Sequence, residues 1–344
     1  MREVRITKAQ AGQRLDRFLG KYLPEASSGF LHKMLRKKNI KLNEKKAEGN
    51  EKLADGDRIQ IYFSEETLDK FTGSQQKKTT EHKELSREQQ NLRSQVRLLF
   101  ASENVLIFHK PAGMLTQKAD PKDDSLNDYL LDYCMEKGYV DEQTLKSFRP
   151  SVANRLDRNT SGIVLCGITT VGLQTLSLLL KERKLEKNYL CLVKGRVEKN
   201  QKIRGYLKKN EIDNRVTLYQ KPVEGAVPIE TWYQVVSRSE QASLLKVRLI
   251  TGKSHQIRAH LASIGYPIFG DGKYGNRSWN DRLRKEKGVK YQMLHSYELK
   301  VPEGLTLPLK ELEGLHIVDP VPADFARILG AFELQNSSVQ TEEE

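Results

Sequence analysis

The chain has 344 residues, a length typical of two domains, with 38% hydrophobic and 30% charged residues. Lysine and arginine (58) exceed aspartate and glutamate (45), and the net charge of +13 favours a polyanionic partner, with nucleic acid ahead of an anionic membrane. The chain has no apolar run of ~20 residues, no apolar leader after MREVRITKAQ and no CxxC pair among its three cysteines. These features argue against membrane, secreted and zinc-finger proteins and favour a reducing cytoplasm.

Residues 1–63 are predicted to form a compact α+β unit. Val4 and Ile6 alternate with polar residues, as in a short strand. One helix runs through RLDRFLGKYL to Pro24, and a second, capped by Ser27 or Ser28, runs through FLHKMLRKKN. The segments IKLN and DGDRIQIYF are typical of strands with a tight turn between apolar runs.

The second of these helices has two different sides. Phe30, Leu31, Met34 and Leu35 form an apolar side. A basic side holds Lys33, Arg36 and Lys37, spaced i, i+3 and i+4.

Residues 64–95 are polar and nearly free of aromatic residues, so we predict a linker with at most a transient helix after Ser86. Residues 96–330 alternate many strands with few helices, and several strands follow one another directly. This pattern predicts an α+β fold with a mixed, largely antiparallel central sheet and flanking helices. The tail, residues 331–344, is predicted to be disordered.

The segment VANRLDRNTSGIVLCG (152–167) places a polar turn before an apolar strand. Arg155 and Arg158 flank Asp157, and nearby guanidinium groups would keep its carboxylate ionised, as a nucleophile or base requires. The same residues also suit a purely structural turn, since Asp, Asn, Thr and Ser cap turns and Gly162 supplies conformational freedom.

A second polar segment, LITGKSHQIRAHLASIGYPIFGDGKYG (249–275), leads from a strand into a helix that starts near Ser254. Such a helix start can present backbone N–H groups to phosphate. His255 and His260 do not share one helix face as in HExxH and have no Glu beside them, so we expect no metal site. We expect these histidines to hydrogen-bond within the protein or to RNA.

Two shorter segments complete the set. Tyr189 lies in the strand KNYLCLVKG (187–195), where a tyrosine either packs in the core or stacks on a base. FHKPAGM (108–114) is a strand that enters a Lys-Pro turn. The chain has neither GxGxxG nor GxxxxGK[ST], so we expect no nucleotide cofactor.

Taken together, these segments resemble the RluA-type pseudouridine synthases. Their motifs occur here in the family's order as KPAG (110–113), NRLDRNTSG (154–162), KNYLCLVKG (187–195), TGKSHQIRAHLASIGYPIFGDGKYG (251–275) and LHS (294–296). Residues 1–63 resemble the RNA-binding module named after ribosomal small-subunit protein four, through RLDRFL, the basic helix, IKLN and DGDRI. For that module we expect RNA contacts from Arg14, Lys33, Arg36 and Lys37.

The resemblance assigns roles within the second domain. It makes Asp157 the catalytic aspartate, Arg258 the arginine that pairs with it, and Tyr189 the residue that stacks on uracil and assists proton transfer. It makes Arg155 the residue that enters the RNA stack and Leu294 the residue beneath the base. His255, Gln256 and Lys110 are expected to contact substrate.

The chain departs from the family at four positions: Asn154 stands for His, Lys253 for Arg, Cys191 for Ala and Ser296 for Ala. These changes put substrate choice in doubt more than activity. The resemblance implies the pseudouridine synthase fold, no cofactor and site-specific isomerisation of uridine, most often in large-subunit ribosomal RNA. A tRNA substrate, a non-catalytic RNA-binding or ribosome-assembly factor and an enzyme of anionic small molecules are the alternatives. We expect a cytoplasmic monomer.

Overall fold

The computed structural model describes residues 1–73, 85–210, 215–304, 308–334 and 339–340. The central part of the predicted linker (74–84) and most of the predicted tail lie outside these residues. None of the described helices is both long enough and apolar enough to cross a membrane.

The N-terminal unit is a four-stranded antiparallel sheet with helices packed on it. The sheet has the order β1-β4-β2-β3, and the apolar faces of the first two helices cover it, with Leu15, Phe18 and Leu35 buried. Ser27 caps the second helix by accepting a hydrogen bond from the Phe30 amide (3.3 Å). The elements are β1 (Arg2–Arg5), α1 (Leu15–Tyr22), α2 (Ser28–Arg36), β2 (Ile40–Leu42), β3 (Lys45–Lys46), β4 (Arg58–Ile61) and α3 (Glu65–Thr72).

Helix α3 extends this unit beyond the predicted boundary at residue 63. Ser64 caps the helix, Leu68 is buried against the N-terminal core, and the Phe71 ring lies 4.6 Å from the Phe30 ring. Two apolar side chains spaced i, i+3 therefore hold a polar segment to the core. The predicted helix after Ser86 is present as α4 (Arg87–Ser94), and Ser86 and Gln89 form its capping box.

The second domain has a large, mostly antiparallel sheet, which confirms the predicted α+β class. Among the described residues its main path runs β11-β10-β12-β13-β9-β14-β8-β6-β5, with β15 beside β14 and β7 beside β8. Among the pairs of described strands, only β14 and β8 are parallel. The strands are β5 (Arg97–Ala101), β6 (Val105–Lys110), β7 (Ser151–Val152), β8 (Ser161–Gly167), β9 (Glu186–Lys194), β10 (Gln201–Asn210), β11 (Arg215–Tyr219), β12 (Val227–Arg238), β13 (Ala242–Leu249), β14 (Leu294–Lys300) and β15 (His316–Val318).

Helices cover the middle of this sheet, and the whole of β8 is buried as a result. At its start, Gly162 has φ +113°, and a Cβ there would lie 2.3 Å from the Ser296 carbonyl oxygen, so only glycine lets β8 and β14 approach. The helices are α5 (Leu126–Glu136), α6 (Glu142–Leu145), α7 (Thr170–Lys181), α8 (Gln256–Ser263), α9 (Arg277–Lys287) and α10 (Ala323–Gly330), with a 3₁₀ turn at Lys310–Leu312.

The prediction of a disordered tail from residue 331 is wrong for the first residues of that tail. Leu334 is fully buried in the main core. The Val321 amide donates to the Gln340 carbonyl (3.0 Å), and the Gln340 amide donates to the Tyr297 hydroxyl (3.0 Å). Within the predicted tail, Leu334 and Gln340 therefore both contact the second domain.

The two domains touch through the loop after β1. The Ala9 carbonyl accepts hydrogen bonds from the amide and the hydroxyl of Thr170 at the start of α7 (2.9 and 3.0 Å). The buried Gln10 donates to the Ser147 hydroxyl (2.7 Å). These contacts set the position of the N-terminal unit against the second domain.

Candidate active site

A cavity of about 910 Å³ opens where the turn before β8 meets strands β9 and β13 and the start of α8. Seven of the residues predicted to act on substrate line it together, although they come from four separate segments of the chain. They are Arg155, Asp157, Tyr189, His255, Gln256, Arg258 and Leu294.

The turn that carries Asp157 is fixed on both sides. Before it, Leu156 exchanges backbone hydrogen bonds with the Thr116 hydroxyl (2.8 and 3.1 Å). After it, the Arg158 carbonyl accepts from the Gly113 amide (2.9 Å) and the Lys110 ammonium (3.1 Å). The KPAG turn therefore holds the aspartate in place from behind.

Arg258 lies between the carboxylates of Asp157 and Asp271, and the three side chains form a row. Its Nη1 donates to Asp157 Oδ2 at 2.7 Å, while its Nε and Nη2 form a two-point contact with Asp271 at 2.8 Å each. Asp271 is 1% exposed and Asp157 26% exposed, so the row runs from the protein interior to the cavity. Asp271 also accepts backbone N–H groups from Lys273 and Tyr274 (2.9 and 3.2 Å).

The electrostatics of this row centre on the buried Arg258 guanidinium. Burial opposes the charge of Arg258, but hydrogen bonds and attraction from both carboxylates raise its pKa above the ordinary value. Burial likewise opposes the charge of Asp271, yet Arg258 and the backbone donors hold the pKa of Asp271 below its usual value. One buried cation thus faces two carboxylates, and only Asp157 reaches the cavity.

His255 forms a second wall beside Asp157. It precedes α8 with φ +56°, a left-handed conformation that is uncommon outside glycine. Its Nδ1 is 2.9 Å from the Tyr274 hydroxyl and its Nε2 is 3.9 Å from Asp157 Oδ1. Burial lowers the pKa of His255 despite the Asp157 charge, so the ring is neutral at neutral pH.

Tyr189 lies on β9, with Ser296 opposite it on β14. Burial, and to a smaller extent the charge of Asp157, raise the pKa of Tyr189 to about 12, although a hydrogen bond with the Ser296 side chain acts in the other direction. The phenol is therefore protonated at neutral pH. Leu294, 4% exposed, lies two residues before Ser296 and completes this apolar wall.

Two residues expected to contact substrate, Lys110 and Gln256, have their polar atoms bonded within the protein. Lys110 has no exposed surface and lies outside the cavity, because its ammonium donates to the carbonyls of Pro111, Met114 and Arg158 (3.0, 2.8 and 3.1 Å). Gln256 reaches the cavity wall, but its amide is bonded to the 230–231 and 251–253 backbone and side chains. Both residues position loops of the site.

Arg155 is exposed at the cavity mouth and makes no hydrogen bond or ion pair with the described residues. Its neighbour Asn154, which stands for the family's histidine, accepts the Leu165 amide (2.7 Å) and so ties the turn to β8. His260, below the site, bonds the Thr231 hydroxyl (2.8 Å), and burial lowers its pKa to about 4. That histidine therefore has a contact within the protein, one of the two roles expected for it.

The four basic residues expected to bind RNA in the N-terminal unit are all exposed. Lys33 and Arg36 lie on the outer side of α2, opposite its buried Leu31 and Met34, and Lys37 follows the last residue of the helix. Arg14 differs, because it pairs with Asp16 at 2.7 Å.

Behind the site lies a buried network that sequence reasoning missed. The Asp319 carboxylate is 2.6 Å from His109 Nδ1, and its carbonyl oxygen is 2.9 Å from His295 Nε2. His295 Nδ1 is 2.9 Å from the Ser161 hydroxyl. Although such a trio could hold a metal ion, its polar atoms already satisfy one another, and burial lowers the pKa of His295 to about 4. The network links β6, β8 and β14 under the Asp157 turn.

Sequence comparison supports the family to which these motifs point. A model of the RNA pseudouridylate synthase family matches residues 104–263. An uncharacterised RNA pseudouridine synthase from Mycoplasma genitalium is 32% identical over 303 residues, which cover 87% of this chain and 88% of that protein. Ribosomal large subunit pseudouridine synthase C from Pasteurella multocida is 27% identical over 343 residues, 97% of this chain and 94% of the relative.

Structural comparison agrees. Human RNA pseudouridylate synthase domain-containing protein 4 superposes with a TM-score of 0.57 at 21% identity, covering 72% of this chain and 97% of the human one. That likeness shows a common fold. The chain therefore belongs to the RNA pseudouridine synthase family, as an isomerase of the RluA type.

Proposed function

We propose that this enzyme isomerises selected uridines of large-subunit ribosomal RNA to pseudouridine, with Asp157 as the reacting carboxylate. The observation that carries the proposal is the Asp157 side chain, which faces the cavity while Arg258 and Asp271 hold it from within. Relatives named ribosomal large subunit pseudouridine synthase C, which align over 86% to 97% of the chain, support the choice of RNA.

The target base has to leave its stack before it reaches Asp157, at a cost of a few kcal/mol for unstacking. Arg155 is suited to fill the space that the base leaves, because its guanidinium is exposed and can stack on neighbouring bases. Leu294 would lie against the face of the uracil in the cavity.

The reaction breaks the N1–C1′ bond and joins C5 to C1′, so no atom is gained or lost. Asp157 either attacks C1′ or removes the C2′ proton to give a glycal, and both routes need an ionised carboxylate. Arg258 supplies a positive charge that offsets the negative charge of the reacting carboxylate while substrate excludes water.

After the new bond forms, C5 must lose its proton while N1 gains one. Because the Tyr189 phenol is protonated at neutral pH, we propose that it hydrogen-bonds the turning base and positions a water molecule that takes this proton. Tyr189 would then orient the base rather than act as a phenolate.

The N-terminal unit would add affinity through phosphate contacts of Lys33, Arg36 and Lys37, which carry no base specificity. Arg14 would join them after release from Asp16. We expect the enzyme to act without a cofactor and as a monomer. Its place would be the cytoplasm, where the proposed substrate lies.

The proposal is tested by mapping pseudouridine in ribosomal RNA and tRNA from cells that lack this chain. We expect one or a few large-subunit positions to lose pseudouridine and to regain it with the wild type but not with Asp157→Asn. Loss confined to tRNA would contradict the proposed substrate, and no loss in either RNA would contradict the proposed activity.

A further inference from the structure

The cavity continues well past the catalytic residues. From the Asp157 turn it extends to the end of α7 and the outer parts of β9 and β13. Its volume of about 910 Å³ is near the upper limit of the ~300–1,000 Å³ typical of pockets for drug-sized ligands, so one flipped nucleoside leaves part of it unfilled. We call this continuation the distal arm. Its basic residues are Lys181, Arg183, Lys187 and Arg248.

The distal arm holds a surplus of positive charge without matching carboxylates. Arg248 pairs with Glu186 at 3.2 Å. Lys181, Arg183 and Lys187 have no ion pair with any described carboxylate. Cations gathered in a concave wall attract anions more strongly than the same charges spread over a convex surface.

Lys187 is the deepest of these groups. It is only partly exposed, and its Nζ lies beside the loop before α8, 3.9 Å from where a Cβ on Gly252 would be. Burial lowers the pKa of Lys187, with no carboxylate to offset that effect. A charge that is desolvated and unpaired in the free protein is suited to an anion supplied by a ligand.

Arg183 stands where a helix end usually has glycine. The chain leaves α7 with φ +55° at Arg183, and its amide and that of Lys184 bond back to Leu180 and Leu179 (3.3 and 2.9 Å). A long basic side chain at this left-handed position is unfavourable for the backbone. However, this position places the Arg183 guanidinium at the mouth of the distal arm.

We propose that the distal arm binds the phosphodiester backbone of the RNA strand beside the flipped uridine. Lys187 contacts a phosphate inside the arm, and Lys181 and Arg183 contact the next phosphates at its mouth. This inference rests on the proposed function, because continuity with the Asp157 site is what makes RNA the occupant. It identifies the unpaired strand next to the target as part of what the enzyme recognises.

The test is the salt dependence of RNA binding, measured by fluorescence anisotropy with stem-loop fragments of ribosomal RNA. The double variant Lys181→Gln with Arg183→Gln removes two charges from the arm. Lys199→Gln with Lys221→Gln removes two exposed charges outside the cavity and is the matched control. Lys187→Met and Lys187→Arg test the deep contact, with thermal melts to verify folding.

Because the slope of log K against log salt is negative, each lost single-strand phosphate contact reduces its magnitude by about 0.7. Between 1 M and 0.1 M salt this change corresponds to about fivefold in affinity. We therefore expect the arm double variant to lose about 1.4 in slope and about 25-fold in affinity at 0.1 M, relative to the control pair. Lys187→Met should reduce the magnitude of the slope by about 0.7, and Lys187→Arg should keep most of the wild-type slope. If Lys187→Met does not fold, the double variant Lys181→Gln with Arg183→Gln still decides the question.

A slope and an affinity equal to those of the control pair would overturn the proposal. A methylphosphonate placed at successive phosphates locates the contact, because removing the phosphate's charge should abolish the penalty of Lys187→Met at one position only. Tritium release by the wild type is recorded separately. Binding losses without any release would leave the arm assigned and the isomerase proposal rejected, whereas normal release with unchanged slopes would reject the arm alone.

Discussion

Asp271 holds the Arg258 guanidinium that bonds the reacting carboxylate, although Asp271 itself does not line the cavity. In Asp271→Asn the shape is kept, but one oxygen becomes an N–H group that faces the Arg258 guanidinium, which already donates at 2.8 Å to each oxygen. Breaking a buried ion pair in this way costs about 3–5 kcal/mol of stability. Arg258 would then move toward Asp157, its remaining carboxylate partner, and shift it.

A displacement near 1 Å at the reacting group lowers the rate about 100-fold, which is about 2.7 kcal/mol of barrier. We therefore expect kcat for Asp271→Asn to fall about 100-fold with little change in KM, measured by tritium release from C5-labelled RNA. Asp281→Asn makes the same chemical change at an exposed position on α9 and should behave as the wild type. If Asp271→Asn, shown to be folded, matched Asp281→Asn in kcat, then Arg258 would not need this partner and our account of the row would be wrong.

Three further predictions concern groups outside the reacting row. Burial lowers the pKa of Lys110 to about 7, below the 10.5 of the unfolded chain, so unfolding takes up protons between those values. The stability of the wild type relative to Lys110→Met should rise from pH 7 to 10 in urea titrations, and a flat difference would contradict this. Burial disfavours the negative charge of Glu298, but Lys246, Lys300 and His316 hold the pKa of this carboxyl at about 2, below its ordinary 4.5. Glu298→Gln should therefore lower the free energy of unfolding by about 2–3 kcal/mol at pH 7, and this loss should shrink as pH falls from 4.5 toward 2. A loss that does not change with pH would show that the ion pairs of Glu298 are not its cause. Gln10→Ala removes the 2.7 Å bond to Ser147 between the domains, so amide exchange in residues 7–13 should speed up while turnover of a short stem-loop stays unchanged. Exchange as slow as in the wild type would show that the bond does not hold the domains together.

The fold could be predicted from the sequence where apolar periodicity was strong. The buried strands β6 and β8 and the amphipathic helices α1 and α2 all lie where the pattern indicates. Helix α3 was missed because only Leu68 and Phe71 tie it to the core. Such isolated contacts depend on tertiary structure that a local pattern does not contain.

In the site, too, the motifs predicted individual residues but not all of the contacts between them. The motifs predicted Asp157, Tyr189 and Arg258, and the structure brings their segments to one cavity. Asp271 lies within a recognised motif, but its pairing with Arg258 follows from the way the loop folds back onto α8. Lys110 was expected to contact substrate, but three carbonyls from two different turns bind its ammonium in the interior, an arrangement that a local pattern does not contain.

Above all, we infer that the Asp157 carboxylate carries out the isomerisation while other residues bind the RNA. The most direct test compares wild type and Asp157→Asn for tritium release from C5-labelled large-subunit RNA and for affinity to the same RNA. We predict release by the wild type alone, with dissociation constants that agree within about threefold, because phosphate contacts supply most of the affinity. Near-normal release by Asp157→Asn would contradict the account.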